Sequence, residues 1–393
     1  MKRDKLDDII RSLVTRHLNL IVFGFLLMCS VVARYHLMKH GTSSDYTNYL
    51  VPWVEAYKQS IRSAFREGVG NYYIPYNVLL AIASKLPIPT NYSVGLISCI
   101  FDYLTCIYIF RILSENFSGT LNKVTITAIS IGFLFLPTII LNGAAWKQCD
   151  AIYTFFLLVC LKSLLDGKMK TAFIMLGVAF SFKQQAIFLV PLIIILYFLD
   201  KRIKIVYLFY TVLVYLIAGL PAIIMGRPAL EVYSIYLGQT STYHEMTLNY
   251  PNLYMVAMTN YERAHLYAVI LTIVVFAMAF LYIVGQYSTL SAKNIAFLAA
   301  WSVWTCCMFL PAMHQRYDYM VVILLVICVP LVKKEKSVMA IISMILFNAG
   351  NILTYSRSLF GDDYNPLFTF CCNAAAYFLF NYILWKSISE EKA

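Results

Sequence analysis

The segment LNLIVFGFLLMCSVVARY, residues 18–35, contains a single charged side chain, Arg34. A spanning helix needs roughly 20 mainly apolar residues to cross a bilayer core about 30 Å thick. The whole chain shares this character, since it is 61% hydrophobic and 13% charged with a mean hydropathy of +0.71. Soluble domains carry about 25% charged residues. The composition therefore predicts an all-α, polytopic membrane protein.

This segment is the first of a series of apolar windows, and we predict a transmembrane helical bundle of about twelve spans. Several windows are short, which puts a margin of one or two on the count. The windows lie near residues 18–35, 92–111, 124–141, 150–165, 170–181, 185–199, 204–224, 265–285, 293–311, 318–332, 337–354 and 367–385. We expect one transmembrane domain over residues 1–393, with long loops at 36–91 and 225–264 as candidate functional segments.

The distribution of basic residues predicts the orientation. The amino terminus MKRDKLDDIIRSLVTRH is charged and basic, which is typical of a cytoplasmic flank rather than a cleaved signal peptide. With the predicted spans, most of the 31 Lys and Arg fall on the inner side, as the positive-inside rule expects. We therefore predict a multi-pass protein of the cell membrane with both termini in the cytoplasm and both long loops outside.

The net charge of +11 fits this topology, because inner Lys and Arg also contact anionic lipid headgroups. Membrane lipids are accordingly expected partners, and nucleic acid is not. Most of the ten cysteines lie inside apolar windows, where free Cys behaves as a small apolar residue. Their spacing predicts neither a disulfide framework nor a structural zinc site.

Polar residues cluster in segments that interrupt or follow apolar runs and that the predicted topology places at the outer boundary. These segments are GTSSDYTNYLVPWVEAY (41–57), NGAAWKQCDAIY (142–153), SFKQQA (181–186), HQRYDY (314–319) and TYSRSLFGDDYN (354–365). Ionisable groups at a membrane boundary are costly unless they are paired, hydrated or line a cavity, so they are functional candidates. Transfer of a sugar from a polyprenyl-phosphate donor would use such a set. Lys or Arg would bind the phosphate, a carboxylate would accept the acceptor's proton, and aromatic and amide groups would hold the sugar.

Each candidate also has a plainer interpretation. Asp45 suits a solvated loop or a helix N-cap. Trp53, Trp146 and the tyrosines suit an interfacial aromatic belt. Lys183 suits a snorkelling lysine that ends a short apolar helix.

The charges at His314, Arg316 and Asp102 have structural alternatives as well. His314 and Arg316 suit a structural ion pair, for example to Asp150 or Asp318. For Asp102, inside the second window, we expect pairing with a polar group of a neighbouring helix rather than a chemical role.

The ordered motifs SDYTNYLVPWVEAY, WKQCDAIYT, FKQQA, NYPNLY and MHQRYDY resemble those of bacterial glycosyltransferases of the GT-C superfamily. The resemblance covers roughly residues 20–330. It is to proteins related to the second mannosyltransferase of GPI-anchor synthesis, and more distantly to the dolichyl-phosphate-glucose-dependent glucosyltransferases of N-glycan assembly. It implies an enzyme of cell-surface polysaccharide synthesis that transfers a hexose of mannose or glucose type on the outer face, usually with inversion. The donor would be a polyprenyl-phosphate-linked sugar and the acceptor a glycan or lipid-linked glycan.

The resemblance also implies roles for individual residues, with Asp45 as the general base. Together with the polar segments it assigns the donor phosphate to Lys183, His314, Arg316 and Arg357. It assigns the substrates to Tyr46, Tyr49, Trp53, Trp146, Gln148, Asp150, Gln184 and Tyr317. The chain departs from the family at Lys147, where Gly is common, and at Gln315, where Glu is common. The second departure removes a carboxylate and leaves Asp45 as the stronger candidate base.

We expect neither a metal nor another cofactor, because the cations can bind the phosphate themselves. A divalent ion held by Asp45 and Asp150 is the alternative.

Two other functions suit a bundle of this size. A transporter or flippase of lipid-linked sugars often shows internal repeats and charges near the midplane. No repeat relates residues 20–200 to 200–385, and the charges lie at one predicted boundary. A polysaccharide polymerase or ligase would have arginine-rich outer loops, whereas the predicted outer loops here contain few arginines.

The first long loop contains EAYKQSIRSAFREG, residues 55–68, which predicts an amphipathic helix lying along the membrane surface and ending at Gly68. Its predicted apolar face consists of Tyr57, Ile61, Ala64 and Phe65. In the resembling family such helices wall the groove where the lipid donor enters.

Overall fold

The computed structural model of the chain describes residues 2–240 and 242–392. Met1, Ser241 and Ala393 lie outside the described residues, as do the side chains of residues 2–6, 240 and 392. Ser241 belongs to the second predicted loop, and residues 2–6 belong to the predicted basic flank. The regular secondary structure of the described residues is helical apart from two very short strands, which agrees with the predicted all-α class.

Eighteen α-helices follow one another in the described residues. They are α1 (Lys2–His40), α2 (Val51–Gln59), α3 (Ile61–Glu67), α4 (Ile74–Ser84), α5 (Thr90–Asn116), α6 (Lys123–Phe133), α7 (Pro137–Ile140), α8 (Asp150–Leu165), α9 (Met169–Phe182), α10 (Val190–Leu199), α11 (Leu208–Ile224), α12 (Ala229–Tyr233), α13 (Ile235–Thr240), α14 (Tyr261–Gln286), α15 (Ala292–Phe309), α16 (Tyr319–Cys328), α17 (Ser337–Phe360) and α18 (Pro366–Lys392). The strands β1 (Thr247–Leu248) and β2 (Met313–His314) pair in parallel.

Other helical turns interrupt or extend these helices. Two of them are π-helical, Tyr46–Leu50 before α2 and Leu141–Ala145 after α7. The 3₁₀ turns are Gln184–Leu189, Ile205–Tyr207, Leu253–Met255, Val329–Leu331 and Lys334–Lys336.

The predicted count of about twelve spans is not confirmed, although every predicted window is mainly helical. Six described helical segments are long and apolar enough to cross a membrane, and a seventh span results if α6 and the helix after it, bent by 49°, count as one. The six are Asp7–His40, Thr90–Asn116, Ile205–Ile224, Tyr261–Gln286, Lys334–Phe360 and Pro366–Glu391. The remaining windows form shorter helices. Several helices that could span a membrane are consistent with a multi-pass membrane protein.

One short helix, α16, forms the centre of the core. All of its residues from Tyr319 to Cys328 are buried, and it contacts α5, α8 and α15. A helix that is apolar all round is buried in protein or in lipid. Here it is protein that surrounds α16, whereas α14 exposes large apolar side chains such as Leu266, Ile273 and Leu281. Hydropathy alone does not separate these two environments.

The first long loop contains two amphipathic helices where one was predicted. An extended residue, Ser60, with φ −154° and ψ 111°, separates α2 from α3 and caps α3 through its hydroxyl. Of the predicted apolar face, Tyr57, Ala64 and Phe65 are buried and Ile61 is half-buried, and α3 ends at Gly68 in the left-handed conformation, as predicted. Most of the predicted apolar face therefore packs against the protein, and the prediction of a single helix is wrong.

A buried ion pair joins α1 to α5. The Arg34 Nη2 lies 3.3 Å from Asp102 Oδ2, and both side chains are almost inaccessible to solvent. Tyr319 of α16 donates to Asp102 Oδ1 at 2.6 Å, while Arg34 Nη1 also donates to Ser30 Oγ and to the carbonyl oxygen of Leu134. The expectation that Asp102 pairs with a neighbouring helix is confirmed.

We predict that Arg34→Leu destabilises the fold strongly, because it leaves the Asp102 carboxylate buried and unpaired, at a cost of about 3–5 kcal/mol. The measurement is the thermal midpoint of the purified protein in detergent. Arg111→Leu is the control, since its pair with Glu115 is about half exposed on both sides and such pairs contribute about 1 kcal/mol or less. Equal midpoints for the two variants would contradict the prediction.

Candidate active site

Asp45 lies just after α1, at the start of a helical segment that contains a π turn and then α2. Its backbone is already helical, with φ −62° and ψ −41°, and its side chain makes no capping hydrogen bond. The hydroxyl of Ser43 instead accepts a hydrogen bond from the Tyr46 N–H at 3.1 Å. The N-cap interpretation of Asp45 is therefore wrong, and its carboxylate is available for other contacts.

Two side chains from the segment after α7 hold one oxygen of this carboxylate. Trp146 Nε1 donates to Asp45 Oδ2 at 3.0 Å, and Gln148 Nε2 donates to the same oxygen at 2.6 Å. Trp146 is buried and packs edge-on against Tyr355 at 5.2 Å between ring centroids. It therefore does not belong to an exposed interfacial belt.

Close backbone packing brings the segment after α7 against the end of α1. A Cβ on Gly41 would lie only 2.7 Å from the Cα of Ala145. The other side of this segment is also closely packed, though less tightly, since a Cβ on Gly143 would lie 3.3 Å from the Ser98 Cβ. Two small residues thus let Trp146 and Gln148 reach Asp45 across a gap of about a hundred residues in sequence.

Lys147, between these two side chains, adopts φ 63°. This left-handed region is one that glycine occupies without steric cost. Such a conformation gives a physical reason why the resembling family often has Gly at this position. Lys147 carries the corresponding strain, and its side chain is fully buried.

Asp150 begins α8 and is completely buried. Lys183 Nζ pairs with Oδ1, and Asn142 Nδ2 donates to Oδ2 at 3.0 Å. A carboxylate in the first turn of a helix is also stabilised by the helix dipole. Lys183 is itself buried, so the snorkelling interpretation of this lysine is wrong.

The guanidinium of Arg316 lies between the two carboxylates. Its Nη1 is 3.7 Å from Asp45 Oδ2, and its Nε is 3.5 Å from Asp150 Oδ2. The Arg316 Cζ also lies 5.5 Å from the centre of the Trp146 ring. Burial opposes the positive charge, but nearby Asp150 and other anionic groups outweigh it, so that the pKa of Arg316 is raised. The structural ion pair to Asp150 that was one alternative is therefore present.

The strand pairing positions Arg316. Thr247 and Leu248 of β1 lie in register with Met313 and His314 of β2, which ends two residues before Arg316. The second long loop, of which β1 is part, is thus fastened to the segment that carries the guanidinium.

His314 belongs to an aromatic cluster rather than to an ion pair. Its ring lies 5.1 Å from both the Tyr243 and the Tyr317 ring. Burial first, and then the charges of Arg316 and Lys183, lower the pKa of His314 far below its ordinary value. The imidazole is neutral, so any contact it makes with a phosphate would be a hydrogen bond and not a charge interaction.

A cavity of about 380 Å³ adjoins the cations. Lys183, Gln184, Arg316 and Tyr317 supply polar groups to its wall, and the Lys183 Nζ lies 4.9 Å from the centre of the Tyr317 ring. The rest of the wall is largely apolar or aromatic, including Phe182, Ile187, Phe188, Val269, Leu310 and Met313. A ligand with a charged end and an apolar body would match such a lining.

Other predicted residues are farther from this network. Tyr46 is buried, and the Lys147 Nζ lies 4.6 Å from the centre of the Tyr46 ring. Tyr49 and Trp53 lie farther along the same helical segment. Arg357 pairs with Asp363 at 2.7 Å and is about half exposed. Arg357 contacts neither Asp45 nor Asp150. Its position therefore does not support a role in binding the donor phosphate.

Sequence reasoning missed two side chains that support Asp150. Asn142 donates to Asp150 and also to the Tyr355 hydroxyl at 3.1 Å. Both residues stand in polar segments that the sequence had singled out. However, 213 positions separate them, and no local pattern indicates that they meet.

No group of three or more His, Cys, Asp or Glu in the described residues could hold a metal ion. The space between Asp45 and Asp150, where a divalent ion was the alternative, contains the Arg316 guanidinium.

Comparisons with known proteins assign no family to the chain. No protein-family model matches it, and no curated protein is significantly similar to it. The resemblance to GT-C glycosyltransferases stays a prediction, and the site has to be interpreted from its own geometry.

The burial of Lys147 can be tested through the pH dependence of stability. Its ammonium donates to the carbonyl oxygens of Gly41 and Ala145, and no described carboxylate pairs with it. Burial lowers the pKa of Lys147 to about 8, below the unfolded value of about 10.4. Between these values the unfolded chain binds more protons than the folded one, so stability increases as pH rises.

We predict that the wild-type thermal midpoint, corrected by that of Lys147→Met, rises between about pH 7.5 and about pH 9.5. Other groups that titrate in this range affect both proteins and cancel in the difference. A difference that is flat or falls with pH would contradict a buried, unpaired Lys147.

Proposed function

We propose that the protein is a polyprenyl-phosphate-sugar-dependent glycosyltransferase of the membrane. It transfers a hexose of mannose or glucose type to a glycan or glycolipid acceptor on the outer face of the cell membrane, and Asp45 is the general base. This activity matches the GT-C resemblance of the ordered motifs, and it uses the groups that the structure brings together.

The proposal rests on a difference between the two carboxylate oxygens of Asp45. Trp146, Gln148 and Arg316 all approach Oδ2, and no described residue donates to Oδ1. The side chain is 32% exposed, so an acceptor hydroxyl can reach it. One oxygen is therefore fixed while the other is free to accept a proton.

Asp150 is a poorer base for the opposite reason. Lys183 occupies Oδ1, while Asn142 and Arg316 approach Oδ2, and the side chain is fully buried. Both of its oxygens are engaged. Asp150 instead supplies negative charge that orients Lys183 and Arg316.

In the proposed reaction, the acceptor hydroxyl oxygen attacks the anomeric carbon of the donor sugar, and its proton passes to Asp45 Oδ1. The bond between the anomeric carbon and the phosphate oxygen breaks, so that polyprenyl phosphate leaves with one more negative charge. Cationic groups placed where this charge develops stabilise the transition state.

The cavity beside Lys183 and Arg316 suits the donor. Its cations and Gln184 would bind the phosphate and sugar, and its apolar wall would contact the start of the lipid chain. Asp45 and Asp150 balance the two cations, so a bound phosphate shares Lys183 and Arg316 with the carboxylates rather than meeting excess positive charge.

We predict that Asp45→Asn lowers transfer roughly 10²- to 10⁴-fold, since it removes the base and keeps the shape of the side chain. The assay measures polyprenyl phosphate released from synthetic polyprenyl-phosphate mannose and glucose by protein in nanodiscs. The acceptor is a glycolipid extract from a strain that lacks this gene. Glu55→Gln is the control, because Glu55 is an exposed acid on the same helical segment.

An Asp45→Asn protein as active as Glu55→Gln would exclude Asp45 as the base. Movement of the donor across the bilayer by the wild type, without release of polyprenyl phosphate, would indicate a lipid-linked sugar transporter instead.

Replacement of Arg316 by alanine should raise the donor KM roughly 10- to 100-fold, the effect of losing a hydrogen bond to a charged group. Arg62→Ala, at an exposed position of the first loop, serves as the matched control. A rise confined to the acceptor KM would contradict the placement of the donor phosphate at Arg316.

A further inference from the structure

The accessible face of the helical segment 44–59 aligns the candidate base with two aromatic side chains. Asp45, Tyr49 and Trp53 follow one another at intervals of four residues, which places them on one side of a helix. A neighbouring side of the segment is buried and consists of Tyr46, Leu50, Val54 and Tyr57. We call Tyr49 and Trp53 together the aromatic stripe.

Both members of the aromatic stripe remain accessible. Tyr49 is 54% exposed, and its ring lies 6.0 Å from that of the half-buried Trp53. No described residue accepts a hydrogen bond from the indole N–H of Trp53, whereas Trp146 uses its N–H to hold Asp45. The stripe thus offers apolar ring surface together with an unused donor.

The Trp53 ring is held in place from behind. Gly70, with φ 78°, brings its backbone so close that a Cβ there would lie 3.0 Å from the ring. The Trp53 ring also packs edge-on against Tyr72 at 5.9 Å, and the Tyr72 hydroxyl lies 3.5 Å from Gln148 Oε1. Since Gln148 binds Asp45, the stripe connects through packed side chains to the candidate base.

On the basis of the proposed function, we propose that the aromatic stripe binds the acceptor and that the acceptor is an oligosaccharide. Sugar rings place their C–H faces on aromatic rings and their hydroxyls on groups such as the indole N–H, and tryptophan offers both surfaces. From Asp45 to Trp53 the helix rises about 12 Å, which exceeds the length of one hexose. A terminal hydroxyl at Asp45 would therefore leave the preceding sugar units lying along Tyr49 and Trp53.

The donor does not compete for this surface. Neither Tyr49 nor Trp53 lines the cavity beside Lys183 and Arg316. The two substrates would reach Asp45 by different routes, as a transfer between two bound molecules requires.

Saturation-transfer difference NMR of the full-length protein in nanodiscs tests the proposal. The probes are mannotriose, maltotriose and the oligosaccharides released by mild acid from the surface glycans of the producing cells. We expect the wild type to bind at least one probe. Trp53→Ala should weaken that binding roughly tenfold, in line with the loss of a stacking contact.

Three further variants sharpen the result. Trp53→Phe keeps a ring and should retain most of the binding. Trp385→Ala removes another half-buried tryptophan, on α18, and should bind like the wild type. Asp45→Asn should bind the sugar within about twofold while losing transfer, because stacking on Trp53 is left intact.

The proposal is overturned if no probe gives a signal above that of empty nanodiscs, or if Trp53→Ala binds like the wild type. In the second case the stripe anchors the helix among lipid headgroups. Sugar binding without transfer would reject the proposed function and leave the stripe as a saccharide site. Transfer with a binding step insensitive to Trp53 would reject the stripe alone.

Discussion

The placement of one guanidinium between two carboxylates is the constraint on which the candidate site depends. Asp45 follows α1, Asp150 begins α8, and Arg316 follows β2, so the three meet only when distant parts of the chain are packed together. Opposite charges attract more strongly inside a protein than in water, because the effective dielectric constant is lower. The same environment makes unpaired charge expensive, so the three groups stabilise one another.

Burial and hydrogen bonding then give two chemically identical side chains different properties. Asp150 is enclosed and saturated with donors, and it acts as a fixed negative charge. Asp45 is partly exposed and saturated at one oxygen only. The two carboxylates differ because they lie at different depths. A buried carboxylate must be paired by groups of the protein, whereas water can solvate the exposed part of the other.

The polar segments that interrupt apolar runs, together with the family resemblance, predicted most members of the contact network around Arg316. Asp45, Trp146, Gln148, Asp150, Lys183 and Arg316 were all predicted, and they form one contact network. Each is a polar group that an apolar surrounding would not tolerate without a partner.

Three features could not be predicted from the sequence, for separate physical reasons. Hydropathy does not distinguish a helix surrounded by protein from one surrounded by lipid, so the buried α16 was counted as a span. Contacts between residues far apart in sequence, such as Asn142 with Tyr355, leave no periodic signal. Arg357 stands in the right kind of segment but pairs with Asp363, and composition alone does not reveal which partner a charge will choose.

The short pairing of β1 with β2 determines which changes in the second loop the site can tolerate. Two hydrogen-bonded residues on each strand fasten the second loop to the segment that carries Arg316. Insertions or deletions between α11 and β1 would therefore reshape the rim of the cavity while leaving the guanidinium in register with both carboxylates. The shape of the cavity can therefore change with loop length, while Arg316 keeps its place between Asp45 and Asp150.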